Sequence, residues 1–258
     1  MVKSTGRLTG AFLAILTIGL VALSAFYFIQ DSQLKDARAQ ISALKTSVSG
    51  LQSGPNGQSA GSGSAAIQVV ALLTPSIVRI DGTGPGFTKS GSGTIIDKRG
   101  YFLTNEHVVS EDTVISVTAG GTVYKASVIA SDAALDLALL KIESSRTDFP
   151  TAVLGTASDI VPGESVLALG FPLGDNFAGP VTVTAGIVSA LRDLGGVAYV
   201  QNDSAINPGN SGGCLAALNG KMIGVTTAGY DNGNDLDLIN LAIPVDVASA
   251  FVEKNLPA

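Results

Sequence analysis

From Leu8 to Gln30 the chain carries no charged residue. The apolar part, Leu8 to Ile29, would span roughly 33 Å as a helix at about 1.5 Å per residue, which matches the hydrocarbon thickness of a bilayer. Lys3 and Arg7 precede this run and Asp31 follows it. The basic flank predicts a cytoplasmic tip and one transmembrane helix within residues 1–30, with everything after Asp31 outside the cytoplasm. Ala22, Ser24 and Ala25 are small residues of the kind a signal peptidase accepts, but the apolar run continues through Phe26, Tyr27, Phe28 and Ile29, so an uncleaved anchor is the expectation. Beyond it, Leu34, Ala37, Ile41, Leu44, Val48 and Leu51 alternate at spacings of three and four. That is the a/d stripe of a coiled coil and predicts a stalk over 31–51, although a lone amphipathic helix at the membrane surface fits the same short stripe. Residues 52–65 are mostly Ser and Gly and read as a flexible linker.

From residue 66 onward the texture changes to short runs of β-branched residues separated by turn signals. The first half predicts strands at Ser76–Asp81, Gly93–Asp97, Tyr101–Thr104, Thr113–Thr118, Thr122–Ala130 and Leu135–Ile142. The second half predicts them at Ser165–Leu169, Val181–Leu191, Val197–Gln201, Cys214–Ala217, Lys221–Thr227 and Leu238–Ile243. Short strands at this spacing imply an all-β domain over 66–258, built as two packed barrels or sandwiches, with Val245–Asn255 as a closing helix.

Composition narrows the chemistry. Five of the 15 basic residues but only two of the 21 acidic ones precede residue 66, so the β-rich part carries a formal charge of −9. Such a surface repels a phosphate backbone, and nucleic acid is not expected as a partner. Cys214 is the only cysteine, which excludes an internal disulfide and a cysteine-cluster metal site, and leaves a buried small apolar residue as the plain reading of that thiol.

One serine stands among residues of little bulk, in Asn207-Pro208-Gly209-Asn210-Ser211-Gly212-Gly213. A nucleophilic hydroxyl needs this openness, because a substrate carbonyl must come close and backbone N–H groups must face it. The amides of Gly209 and Ser211 are candidate oxyanion donors, with Asn210 between them shaping the turn. Serine also needs a base that works near neutral pH, for which histidine is the natural side chain, and His107 is the only one in the chain. A carboxylate must hold that imidazole in the right tautomer. Asp136, at the mouth of the apolar run Leu137-Ala138-Leu139-Leu140, is preferred over Asp132, which sits in a more open turn.

These residues form a recognisable set. Thr104-Asn105-Glu106-His107-Val108-Val109, Asp136-Leu137-Ala138-Leu139-Leu140-Lys141 and the Ser211 segment resemble the HtrA/Deg family of trypsin-like serine proteases. Gly91-Ser92-Gly93-Thr94-Ile95-Ile96, Gln201-Asn202-Asp203-Ser204-Ala205-Ile206 and Ala242-Ile243-Pro244 match as well, so the likeness covers about residues 67–250. The resemblance implies a chymotrypsin-like double β-barrel with His107, Asp136 and Ser211 in the cleft between the barrels. It also implies peptide-bond hydrolysis through an acyl-enzyme, protein or peptide substrates, and no metal or cofactor. It suggests a trimer, whereas Ile41 and Val48 at a with Leu44 and Leu51 at d lean toward a dimer.

The sequence departs from that pattern in three places. No PDZ domain is expected after Pro244, Cys214 stands where these proteases usually have proline, and the stretch from Asp81 to Gly91 is short. Ala205, six residues before the serine, would lie at the base of the pocket for the residue preceding the cut, followed by Ile206, with Thr226, Thr227 and Ala228 as a wall. Without a carboxylate there, an Arg or Lys would enter unpaired, so small or medium aliphatic residues are the expected preference. The rival expectation is a catalytically silent module that keeps the barrels and uses the cleft to hold peptides.

Overall fold

A computed structural model describes residues 58–172, 179–229 and 239–257. The expected anchor over 1–30 and stalk over 31–51 lie outside the described residues. No helix among the described residues is long and apolar enough to cross a membrane. The chain divides into two units, Met1–Ala60 and Gly61–Ala258, and nearly all the described residues belong to the second.

This second unit begins within helix α1 (Gln58–Leu73), which runs into a 3₁₀ turn over Thr74–Ser76. Here the structure corrects the expected linker, whose last eight residues are helical. The Ser and Gly content predicted a coil, but the same helix carries Val69 and Leu73, both buried in the domain core, and this tertiary anchor overrides weak local propensity.

Six strands come next: β1 (Ile77–Gly84), β2 (Phe87–Asp97), β3 (Tyr101–Thr104), β4 (Val114–Ala119), β5 (Thr122–Asp132) and β6 (Leu137–Ile142). They close into an antiparallel barrel in the order β1-β2-β3-β6-β5-β4. A short helix, α2 (Glu106–Val109), follows β3. Then come β7 (Val153–Leu154), β8 (Ser165–Gly170), β9 (Thr182–Leu194), β10 (Val197–Asn202), β11 (Cys214–Ala217), β12 (Lys221–Gly229), β13 (Asn240–Pro244) and helix α3 (Val245–Asn255). The order β11-β8-β9-β10-β13-β12, closed by pairing of β11 with β12, makes a second barrel, and β7 joins β12 in parallel at its side. The β4–β5 and β9–β10 hairpins both turn on Gly-Gly pairs with positive φ at each glycine, as a two-residue turn matching strand twist requires.

Strand alternation builds the core in three parts. Val78, Ile80, Ile115, Val117, Ala138, Leu140 and Ile142 point into the first barrel around Phe102. Val166, Ala168, Leu215, Ala217 and Ile223 fill the second. The opposite faces of the same strands meet between the barrels: Ile77, Leu137 and Leu139 from one side, Leu167, Leu169, Cys214 and Ala216 from the other. The period of two thus assigns neighbouring residues to a barrel interior or to the barrel junction. Cys214 falls at the junction, fully buried, and burial pushes its thiol pKa up to about 12. It is an inert packing residue.

Candidate active site

At the barrel junction β3 runs into α2. Asn105 is the N-cap of that short helix, and His107 lies in its first turn. The amino group of Lys89 on β2 donates to the carbonyl of Ser110 (2.5 Å) just past the helix. Asp136 sits in the link between β5 and β6 with φ +52°, a left-handed conformation that Asp tolerates better than most residues. Asn105 Nδ2 donates to the Asp136 carbonyl (2.9 Å) and so holds this turn.

With its backbone so turned, the Asp136 carboxylate faces His107. The imidazole Nδ1 lies 2.9 Å from both Oδ1 and Oδ2, and the His107 N–H donates to Oδ1 at 3.1 Å. The Thr227 hydroxyl, from β12 of the other barrel, donates to Oδ2 at 3.0 Å. Burial acts to raise the Asp136 pKa, but hydrogen bonds from the His107 ring and backbone, the imidazole charge and the Thr227 hydroxyl outweigh it, and the carboxyl is held below its ordinary value. An ionised carboxylate only accepts, so the Nδ1 proton is directed to Asp136 and the Nε2 lone pair of the neutral ring is left as the basic position. Asp132, the rejected alternative, spends its Oδ1 on the amides of Ala134 and Leu135 and closes its own turn.

The serine segment is fixed from three sides. The Asn210 N–H donates to the Asn207 carbonyl (3.0 Å) across a turn with Pro208 at its second position and Gly209, φ +98°, at its third, the requirements of a type II turn. The Gly212 N–H donates to Thr226 O (2.8 Å), and the Thr226 hydroxyl donates to Asn210 O (2.7 Å). A Cβ at Gly212 would stand 2.1 Å from both Ser92 O and Thr104 Oγ1, so no larger residue fits there. The amides of Asn210, Gly212 and Gly213 are all bonded, whereas those of Gly209 and Ser211 have no protein acceptor among the described residues. The Asn210 amide, between the two candidate donors, is spent on the turn itself.

A closed circuit of contacts joins this turn to the histidine. The Ser92 N–H donates to Ser211 O (2.8 Å), Thr104 Oγ1 donates to Ser92 O (2.7 Å), and Asn105, next in sequence, holds Asp136. Asp136 is bonded to Thr227, whose neighbour Thr226 is bonded to Gly212. Ser211 Oγ itself makes no hydrogen bond among the described residues, and the His107 side chain is 47 % exposed.

The trypsin-like peptidase domain family matches residues 91–225. This chain belongs to that family. Among the proteins it resembles are serine endoproteases of the DegP and DegS kind. It is 42% identical over 169 residues to the probable periplasmic serine endoprotease DegP-like of Marinomonas sp. (strain MWYL1), covering 64% of this chain and 35% of that protein. It is 37% identical over 175 residues to the serine endoprotease DegS of Salmonella typhimurium, covering 64% of this chain and 47% of that one. The crystal structure of the serine endoprotease from Yersinia pestis superposes with a TM-score of 0.65 at 33% identity, over 74% of this chain and 66% of that chain. The chain thus spans between a third and a half of the length of these curated relatives.

Within the trypsin-like domain the expected pocket residues divide. Ala205 is exposed and its carbonyl accepts from Thr184 Oγ1 on β9 (2.9 Å), while Ile206 is half-buried against the second barrel's core. Thr226 and Thr227 do not present their hydroxyls to a pocket, because one is bonded to the serine turn and the other to Asp136. The side chain of Ala228 lies outside the described residues. Ser92, Thr104 and Asn105 lie in the matching motifs, but their residue types alone do not mark them for a role in the site. Ser92 stands between Gly91 and Gly93, where any side chain would run into Val108 or Phe102, and that close packing is the only local sign of its position.

Proposed function

We propose that this trypsin-like domain is a serine endopeptidase that cleaves extracytoplasmic proteins through an acyl-enzyme. The observation that carries the reading is the His107 ring seated on both oxygens of Asp136, which presents Nε2 as a base. Ser211 Oγ attacks the scissile carbonyl carbon while its proton passes to Nε2, and Asp136 stabilises the imidazolium that forms. The unbonded amides of Gly209 and Ser211 receive the negative charge that develops on the carbonyl oxygen. His107 then protonates the leaving amine as the C–N bond breaks; water next attacks the acyl carbon while passing a proton to the same ring, and the C–Oγ bond breaks as His107 returns that proton to Ser211 Oγ. Hydrogen bonds between such serines and histidines commonly tighten only when substrate is bound, which suits the unengaged Ser211 hydroxyl.

Ala205 and Ile206 favour small or medium aliphatic residues before the cut, since neither offers a charge to Arg or Lys. The names of the relatives, periplasmic endoproteases among them, support work in the cell envelope, in protein quality control or stress signalling. The uncharged run over 8–30 and the a/d stripe over 31–51 support a single-pass anchor and a homo-oligomer, trimer or dimer.

A fluorophosphonate probe and a peptide library test the reading together. The full chain is expected to label, Ser211→Ala is expected not to, and the library is expected to be cut after Val, Ala or Leu. An unlabelled wild type under all conditions points instead to a silent peptide-binding module, and cleavage mainly after Arg or Lys overturns the pocket assignment alone.

A further inference from the structure

We infer that Ser92, on the first barrel, is a positioning residue for the oxyanion turn of the second. The inference rests on the protease reading and deepens it. Ser92 is fully buried, and every polar atom it has is engaged at this one place. Its hydroxyl donates to Gly209 O (2.7 Å) and accepts from the Phe171 N–H (2.8 Å), where β8 ends. Its N–H donates to Ser211 O and its carbonyl accepts from Thr104. One residue therefore grips the two carbonyls, at 209 and 211, that belong to the same two residues whose amides are unbonded.

The peptide planes explain what this grip does. A peptide unit is flat and trans, so its C=O and the following N–H point in opposite directions, and holding one aims the other. Thr226 holds the Asn210 carbonyl and so aims the Ser211 N–H away from β12. The next plane back contains the Gly209 carbonyl and the Asn210 N–H; Ser92 holds the first and Asn207 O the second. With that plane fixed at both ends, the direction of the Gly209 N–H depends only on the two backbone torsions of Gly209, whose φ stands at +98°. Removing the Ser92 hydroxyl frees one end of the plane, and a glycine, lacking a Cβ, has other values of φ open to it. The Gly209 donor then loses its aim while Ser211, His107 and Asp136 keep their own contacts. Such a donor acts more strongly on the transition state than on bound substrate, so its loss appears in kcat rather than KM.

The test compares Ser92→Ala, Ser92→Cys and Ser76→Ala in the full chain. Ser76 also has a buried hydroxyl on a carbonyl, that of Leu73 (2.7 Å), but lies outside the site. Ser92→Ala is expected to lower kcat on a peptide substrate about tenfold to a hundredfold, as a weaker form of deleting an oxyanion donor, with KM within about twofold. It should weaken a peptide aldehyde, whose adduct with Ser211 carries the oxyanion, by a similar factor. Ser92→Cys, with a weak donor in nearly the same volume, should recover part of kcat. Ser76→Ala should lower Tm and leave kcat unchanged. A folded Ser92→Ala or Ser92→Cys protein with wild-type kcat and aldehyde affinity overturns the inference while the protease reading stands. A wild type that neither labels with fluorophosphonate nor cleaves overturns both.

Discussion

Two aspartates within thirty residues of each other show how position decides what a carboxylate does. Burial acts to raise Asp136, but His107 and Thr227 outweigh it, and the group stays ionised below its ordinary titration point. Asp112 is pushed the other way, up, by burial that the nearby Lys89 charge only partly offsets, and neither of its carboxylate oxygens has a hydrogen-bond partner among the described residues. The signs for stability are opposite. Ionised Asp136 stabilises the fold above the unfolded value of about 3.8 and this is lost as pH falls through its depressed pKa. Ionised Asp112 destabilises the fold above its raised pKa, and the penalty fades as pH falls toward 3.8. Asp112→Asn is therefore expected to raise Tm by about 1–3 °C at pH 7 and to give no gain below pH 3.8, a difference that thermal melts at several pH values would read directly. A Tm that falls at pH 7 would show that the carboxylate has a stabilising partner.

At the level of elements, the pattern of apolar positions carried most of the architecture. The twelve strands expected from β-branched runs correspond to β1–β6 and β8–β13, and the closing helix spans Val245–Asn255. The pattern failed where no run exists to be read. β7 is two residues long and is a strand only because β12 pairs with it. β2 begins at Phe87 rather than Gly93, since Thr88 to Gly91 alternate no apolar residues and are held by pairing with β1. α1 was hidden under Ser and Gly because its cause lies in the core that Val69 and Leu73 enter. Leu73→Ala should accordingly cost about 2–4 kcal/mol in denaturant unfolding. A loss under about 0.5 kcal/mol would mean that the helix rests on the barrels without stabilising them. The candidate site divides in the same way. His107, Asp136 and Ser211 stand out as candidates in the sequence because few residue types can do their chemistry, whereas Ser92, Thr104 and Thr226 act through hydroxyls on distant carbonyls, and spacing along the chain does not encode which carbonyl a hydroxyl will meet.

Across the whole molecule, the site depends on two barrels being held in one register. Asp136 and His107 belong to the first and Ser211 to the second, and the circuit through Ser92, Thr104, Asn105, Thr227 and Thr226 crosses the junction twice. The apolar layer beneath it, from Leu137 and Leu139 to Leu169 and Cys214, makes the junction a shared core rather than a surface contact. Every bond in that circuit lies within residues 61–258. A fragment of residues 58–258, which keeps α1 whole, should therefore label with fluorophosphonate at the rate of the full chain and melt within a few degrees of it. The a/d stripe over 31–51 supports a separate role in assembly, so the fragment should sediment as a smaller species than the detergent-solubilised full chain. A fragment that folds but labels far more slowly would place part of the catalytic geometry under the control of the preceding residues, and equal assembly sizes would assign oligomerisation to the barrels.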